Sequence, residues 1–143
     1  MYIWIAGNVP SSKNSKINTS RGSFHSKTVK KYLQNLGVQT YSVRKQTVLG
    51  YKTRPNKFEA LRESFVTAIG EKEYPLKIGF HFVRGTRHKC DFHNIVQIIA
   101  DLMVAHKFVD DDNMDCFLPF PLKRKGSYYS YDKESPGVMI KIL

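Results

Sequence analysis

Between His93 and His106 the chain carries an apolar stripe that only a helix packed against another surface can satisfy. Ile95, Ile98, Ile99, Leu102, Met103 and His106 fall on one face, in a stripe more than 100° wide at 3.6 residues per turn. His93, Gln97 and Asp101 line the other side at i, i+4, i+8 spacing. The surface to be covered must come from strands. Leu76–Val83 follows Pro75 and sets Ile78, Phe80 and Phe82 in alternation with Lys77, Gly79 and His81, the period of a strand with one buried face. Met1–Ala6 is rich in β-formers, and Cys116–Leu122 and Val138–Leu143 read as closing strands around a tip at Lys123–Ser127.

Two further helices are expected. Ser26 is placed to cap one that begins at Lys27, with Val29, Tyr32 and Leu33 as apolar contacts and Gly37 near its end. A second runs from about Lys57 to Ile69 on the stripe Phe58, Leu61, Phe65, Ile69. Residues 7–26 read as a polar loop able to wrap a phosphate backbone, and residues 38–55 fit no pattern. The order strand, helix, helix, strand, helix, strand, strand predicts an α+β fold: one mixed or antiparallel β-sheet with two to three helices packed on it. At this length residues 1–143 make a single domain, with no internal repeat or linker.

Charge narrows the function. The formal net charge is +11, and the first 58 residues hold eleven Lys or Arg and no Asp or Glu. A basic half interleaved with Phe24, Tyr32, Tyr41 and Tyr51 suits a polyanion such as nucleic acid, the plainer alternative being a basic face kept for solubility. Anionic lipid is disfavoured because no basic amphipathic helix stands out. No apolar run approaches the ~20 residues of a membrane span, and the N-terminus lacks the pattern of a secretion signal. A cytoplasmic protein is expected, with Cys90 and Cys116 reduced.

Against this basic background, five of the twelve acids crowd into positions 101–115, with Asp91 just upstream. Like charges 4 Å apart repel by about 1 kcal/mol in water and about 4 near a protein surface. Such acids either stay spread in solvent or are drawn together by something positive. Chain length permits the second outcome. A helix over residues 93–106 is ~20 Å long, and six extended residues after it retrace about 20 Å. Asp111 or Asp112 would then lie beside Asp91. A hard divalent cation such as magnesium would hold them, and Arg84, Arg87, His88 and Lys89 would draw in a nucleic-acid strand, as metal-assisted phosphodiester cleavage requires. The simpler alternative makes DDDNMD a solvated turn and Asp91 a helix N-cap. DDDNMD lacks the Gly and distal Glu of an EF-hand loop, and GNVPSSKN lacks the second Gly and the Ser or Thr of a P-loop.

Asp91–Asp112 resembles the RusA family of Holliday-junction resolvases, with their Asp-x-Asp-Asn helix start, a Lys one turn on, a later Asp, and an Asp-Asp pair after the helix. The corresponding residues here are Asp91, His93 and Asn94, then Gln97, Asp101, and Asp111–Asp112. GNVPSSKNSK is similar to the family's opening strand and Pro-Ser-Lys-Asn loop, and SKTVKKY sits where its first helix begins. The resemblance implies a homodimeric, metal-dependent endonuclease using Mg²⁺ or Mn²⁺. Such an enzyme resolves four-way junctions or other branched DNA by paired nicks, in DNA recombination and repair.

Carried over residue by residue, Asp91, His93 and Asp112 would be catalytic, and Asp91, His93, Asp111 and Asp112 would be the metal ligands. Asn94, Gln97 and Asp101 would support the site, and Lys13, Lys16, Lys30, Lys31, Arg87 and Lys89 would hold the DNA backbone. There are two departures. His93 replaces an Asp, which favours Mn²⁺ over Mg²⁺. Gln97 replaces a Lys, whose charge Lys89 or the pair Lys13 and Lys16 would have to supply. These departures keep open the alternative of an inactive protein that binds junctions or single-stranded nucleic acid.

Overall fold

The computed structural model describes residues 2–12, 16–19, 22–37, 40–43, 46–49 and 57–143. Its main sheet is mixed and five-stranded. Strands β1 (Ile3–Ala6), β9 (Gly137–Ile142), β6 (Leu76–Arg84) and β7 (Phe117–Pro121) lie side by side in that order, and β8 (Tyr129–Tyr131) pairs with the far end of β6. β9 runs antiparallel to both β1 and β6, whereas β7 and β8 run parallel to β6. Helix α3 (Phe92–Ala105) makes the crossover between parallel strands β6 and β7. Such a crossover needs a long connection, and a helix supplies it. The α+β class read from the sequence is therefore the observed one.

The expected elements are present with small shifts at their ends. Helix α1 spans Lys27–Asn35, and Ser26 Oγ accepts a hydrogen bond from the Val29 amide at 3.4 Å, as the capping pattern predicts. The helix expected from Lys57 divides into a 3-10 turn, Glu59–Leu61, and helix α2, Arg62–Ile69. Phe58 and Phe65 of its stripe are fully buried. They meet Phe108, with ring centroids 4.7 and 5.1 Å away, and Phe58 also meets His106 at 5.2 Å. His106 is a core residue, its Nδ1–H donating to the Leu102 carbonyl at 2.9 Å.

One contiguous core joins Ile3, Ile5, Val138, Ile140, Ile78, Phe80 and Phe82 of the sheet to α1, α2 and α3. α3 buries more than the stripe, since Val96 and Ala100 are also enclosed by their own chain. Those two residues are explained by ordinary packing. Each fully buried large side chain on α3, such as Ile99, Leu102 or Met103, contributes about 1.5–3 kcal/mol relative to exposure. Among the described residues no helix is long and apolar enough to cross a membrane.

Two readings need correction. Residues 7–26 are not all loop: β2 (Lys16–Thr19) and β3 (Gly22–His25) form an antiparallel pair, with Ile17 opposite Phe24. Within residues 38–55, β4 (Thr40–Val43) pairs with β5 (Gln46–Leu49), and β3 joins β5 in parallel to complete a second, four-stranded sheet. Four-residue strands held by backbone pairing need little side-chain alternation, so KINT and GSFH carry almost no signal.

The second correction concerns β6. Its residues Gly79 and His81 are buried, so both faces are covered where one was expected. The cover is the chain after β7. The Leu122 side chain lies where a Cβ on Gly79 would be, and His81 is clamped by the Leu122 carbonyl and Ser130 Oγ, both at 2.7 Å.

Candidate active site

Asp91 occupies the N-cap of α3 with an extended backbone, φ −94° and ψ 129°. Its carbonyl accepts the Asn94 and Ile95 amides at 3.0 and 3.2 Å. Its carboxylate makes no capping hydrogen bond and instead accepts Asn94 Nδ2 at 3.3 Å. The backbone thus begins the helix, and the exposed carboxylate is left over. The helix dipole favours an anion at this end by about 0.3–1 kcal/mol.

The end of α3 decides where the other acids go. Lys107 takes a left-handed conformation, φ 57°, and reverses the chain. The Phe108 and Val109 amides both donate to the Met103 carbonyl, at 2.7 and 3.4 Å, and both side chains are buried. This pins the returning segment along the helix. Three successive aspartates then diverge. Asp110 faces Tyr74, whose phenol is raised above its ordinary pKa by burial first, then by repulsion from Asp110 and Cys116. Asp111 closes its own turn, accepting the Asp112 amide at 2.8 Å and Asn113 Nδ2 at 2.9 Å. Asp112 alone meets the polar side of α3. Gln97 Nε2 lies 3.5 Å from its Oδ2 and donates to Asp101 Oδ1 at 2.8 Å.

The chain does fold back along α3, but Asp112 meets the helix at Gln97 rather than at Asp91, and Asp111 stays in its own turn. Six residues separate Gln97 from Asp91, about 9 Å along the helix axis. Asn113 then delivers the chain to β7: its carbonyl accepts the Cys116 and Phe117 amides at 3.1 and 2.9 Å. Cys90 and Cys116 are unpaired thiols, both partly buried against the core.

A third segment meets the same helix start. After β1, the Gly7 amide donates to Pro136, and Asn8 Oδ1 accepts the Gly85 amide at 2.9 Å. The Val9 carbonyl takes a short hydrogen bond from Arg84 Nη1. Ser12 then donates its amide to the Asn94 carbonyl at 2.7 Å and its hydroxyl to Asn94 Oδ1 at 3.4 Å. Asn94 thus links the loop to Asp91. The positioning roles of Asn8, Ser12 and Arg84 were not foreseen, although the loop itself stood out in the sequence. Arg84 is a correction: it is buried beneath this loop, with Nε lacking a partner among the described residues, and so holds the loop rather than drawing in a strand.

The remaining expected residues lie as follows. His93 is exposed one turn before Gln97 on α3. Lys30, Lys31, Arg87 and Lys89 are exposed, and the Arg87 guanidinium lies 4.1 Å above the Tyr131 ring. Lys13 lies outside the described residues, as does the side chain of Lys16. Two polar groups result on one side of α3: Ser12, Asn94 and Asp91 at its start, and Gln97, Asp101 and Asp112 farther along. Among the described residues, no three His, Cys, Asp or Glu side chains form a group able to hold a metal ion. No protein-family model matches this chain, and no curated protein matches it.

Proposed function

We propose that this chain is a divalent-metal-dependent endonuclease of the RusA kind, acting as a homodimer to nick four-way or otherwise branched DNA. One observation carries the reading: the chain reversal returns Asp112 to the polar side of α3, while the Asp91 carboxylate on that helix is spared from capping. The oxygen-rich donors suit a hard cation. Magnesium commonly binds through one or two carboxylates and completes its shell with water and substrate phosphate, so two acids are enough for such a site.

Asp91 and Asp112 would hold the ion, with His93 and Asp111 beside them. When bound, the ion supplies an activated water for attack on phosphorus. Asn94 orients the Asp91 carboxylate, and Gln97 holds Asp112 against Asp101. Lys30, Lys31, Arg87 and Lys89 would contact phosphates, which positions DNA without reading its sequence.

The test is a labelled four-way junction incubated with the protein and Mg²⁺ or Mn²⁺. Paired nicks are expected, more of them with Mn²⁺ if His93 ligates. Because even outer partners of a metal site cost 10–100-fold when lost, Asp112→Asn should reduce cleavage by more than ~100-fold. Equal cutting by wild type and Asp112→Asn would sink the proposal.

A second reading, an inactive binder of junctions or single strands, is favoured by the departures at His93 and Gln97. It predicts salt-sensitive binding, unchanged by EDTA, and no cleavage product.

A further inference from the structure

The outer face of the main sheet, opposite α3, carries aromatic rings and cations with no acid among them. Tyr2 and Trp4 project from the β1 edge at i, i+2, 49 % and 39 % exposed. Lys141 on β9 sets its ammonium 5.5 Å above the Tyr2 ring, and Met139 lies opposite Trp4 in register. Beyond them, Phe120 of β7 aligns with Gly79 and is 42 % exposed. The segment after β7 adds Lys123, its ammonium 5.8 Å above the Tyr128 ring, and Arg124 against the Met139 sulfur. All twelve acids of the chain lie outside residues 2–6, 76–84, 117–131 and 137–143, which build this face.

We infer that this face is a stacking platform for single-stranded nucleic acid. Exposed rings flanked by cations match the two parts of an unpaired nucleotide, a planar base and a phosphate. Duplex DNA fits poorly, because its bases are already stacked on one another and cannot reach the rings. A second copy of the chain fits poorly too. A two-fold contact presents the same patch from both sides, so Lys141, Lys123 and Arg124 would face their own copies with no carboxylate to offset them. The inference stands independently of cleavage at Asp112, since it concerns the opposite side of the sheet.

Trp4 is the only tryptophan in the chain, so its fluorescence reports directly on this face. The full-length protein is titrated in EDTA with a twenty-nucleotide oligo(dT) and, separately, with a twenty-base-pair duplex. Saturable quenching by oligo(dT), much weaker with duplex, is expected. Tyr2→Ala and Phe120→Ala should each weaken oligo(dT) binding by roughly ten-fold while leaving the melting temperature nearly unchanged. Lys141→Gln should flatten the slope of log K against log salt by about 0.7. Tyr2→Ala and Phe120→Ala should still nick the four-way junction as wild type does, so this result and the cleavage result can fail separately. The platform is refuted if oligo(dT) leaves Trp4 unquenched, or if duplex quenches it equally. It is also refuted if sedimentation shows a dimer whose formation alone shields Trp4.

Discussion

Strand β9 carries Val138, Ile140 and Ile142 on one side, none more than 8 % exposed, and Met139 and Lys141 on the other. One strand therefore serves two environments, and so does the whole sheet. The inner face is apolar, helix-covered and tightly packed, and it positions α3 with its acids. The outer face is basic and aromatic, and among the described residues the chain after β7 covers it at Gly79 and His81. The lesson is a division of labour: inward residues set stability, and outward residues are left to interact with other molecules.

Substitutions separate the two faces. The largest effect is expected inside, at Phe80. Phe80→Ala removes a ring that packs on Phe82 and Phe117 with centroids 6.1 and 6.0 Å away. It should cost about 3–5 kcal/mol in urea unfolding. A smaller loss would mean that the inner face is not the main source of stability. Next comes His81, an outward residue that is nevertheless fully buried. His81→Ala strands the Leu122 carbonyl and Ser130 hydroxyl and should cost about 1–3 kcal/mol. A neutral result would show that the covering segment is held by something else.

Tyr32 sharpens the comparison in the opposite sense. Its hydroxyl is buried on the inner side with no hydrogen-bond partner among the described residues, and burial raises its pKa above the ordinary 10.0. Tyr32→Phe should therefore stabilise the fold by about 1 kcal/mol near neutral pH. Below pH 10 the phenol is protonated in both states and adds no slope. Above it the unfolded chain loses the proton first, so stability falls as pH rises, and Tyr32→Phe should remove that part of the alkaline decline. Stability profiles of the two proteins that run parallel from pH 9 to 11.5 would contradict the assignment. The smallest effect is expected outside. Lys123→Gln, at an exposed position on the outer side, should change unfolding free energy by no more than about 0.5 kcal/mol, which chemical denaturation followed by circular dichroism would measure.

Much of the inner layer was readable from local pattern. The Ile95–Met103 stripe, the Ser26 cap and the Phe58–Phe65 spacing are signals within a few turns of chain, where covalent geometry ties each residue to its neighbours. The acid cluster was equally plain, because composition alone exposes six carboxylates in a basic chain. Pairing information was not there to read. β3 and β5 meet through Ser23 and Gln46, and Ser12 reaches Asn94 across 82 positions. The period-two alternation at Leu76–Val83 misled for the same reason, since its outward cover comes from Leu122 and Ser130, some forty to fifty positions later.

By itself the sequence determined where helices form and that acids gather after α3, with chain length permitting a reversal there. Only the tertiary structure decided which of three consecutive aspartates meets the helix. Asp110, Asp111 and Asp112 are chemically identical, and the Lys107 reversal and the Phe108–Val109 anchor orient each differently. It also decided that Arg84 goes inward beneath the N-terminal loop while Lys141 stays out. Burial depends on what arrives from distant parts of the chain, and a residue's own neighbours in sequence carry no record of that arrival.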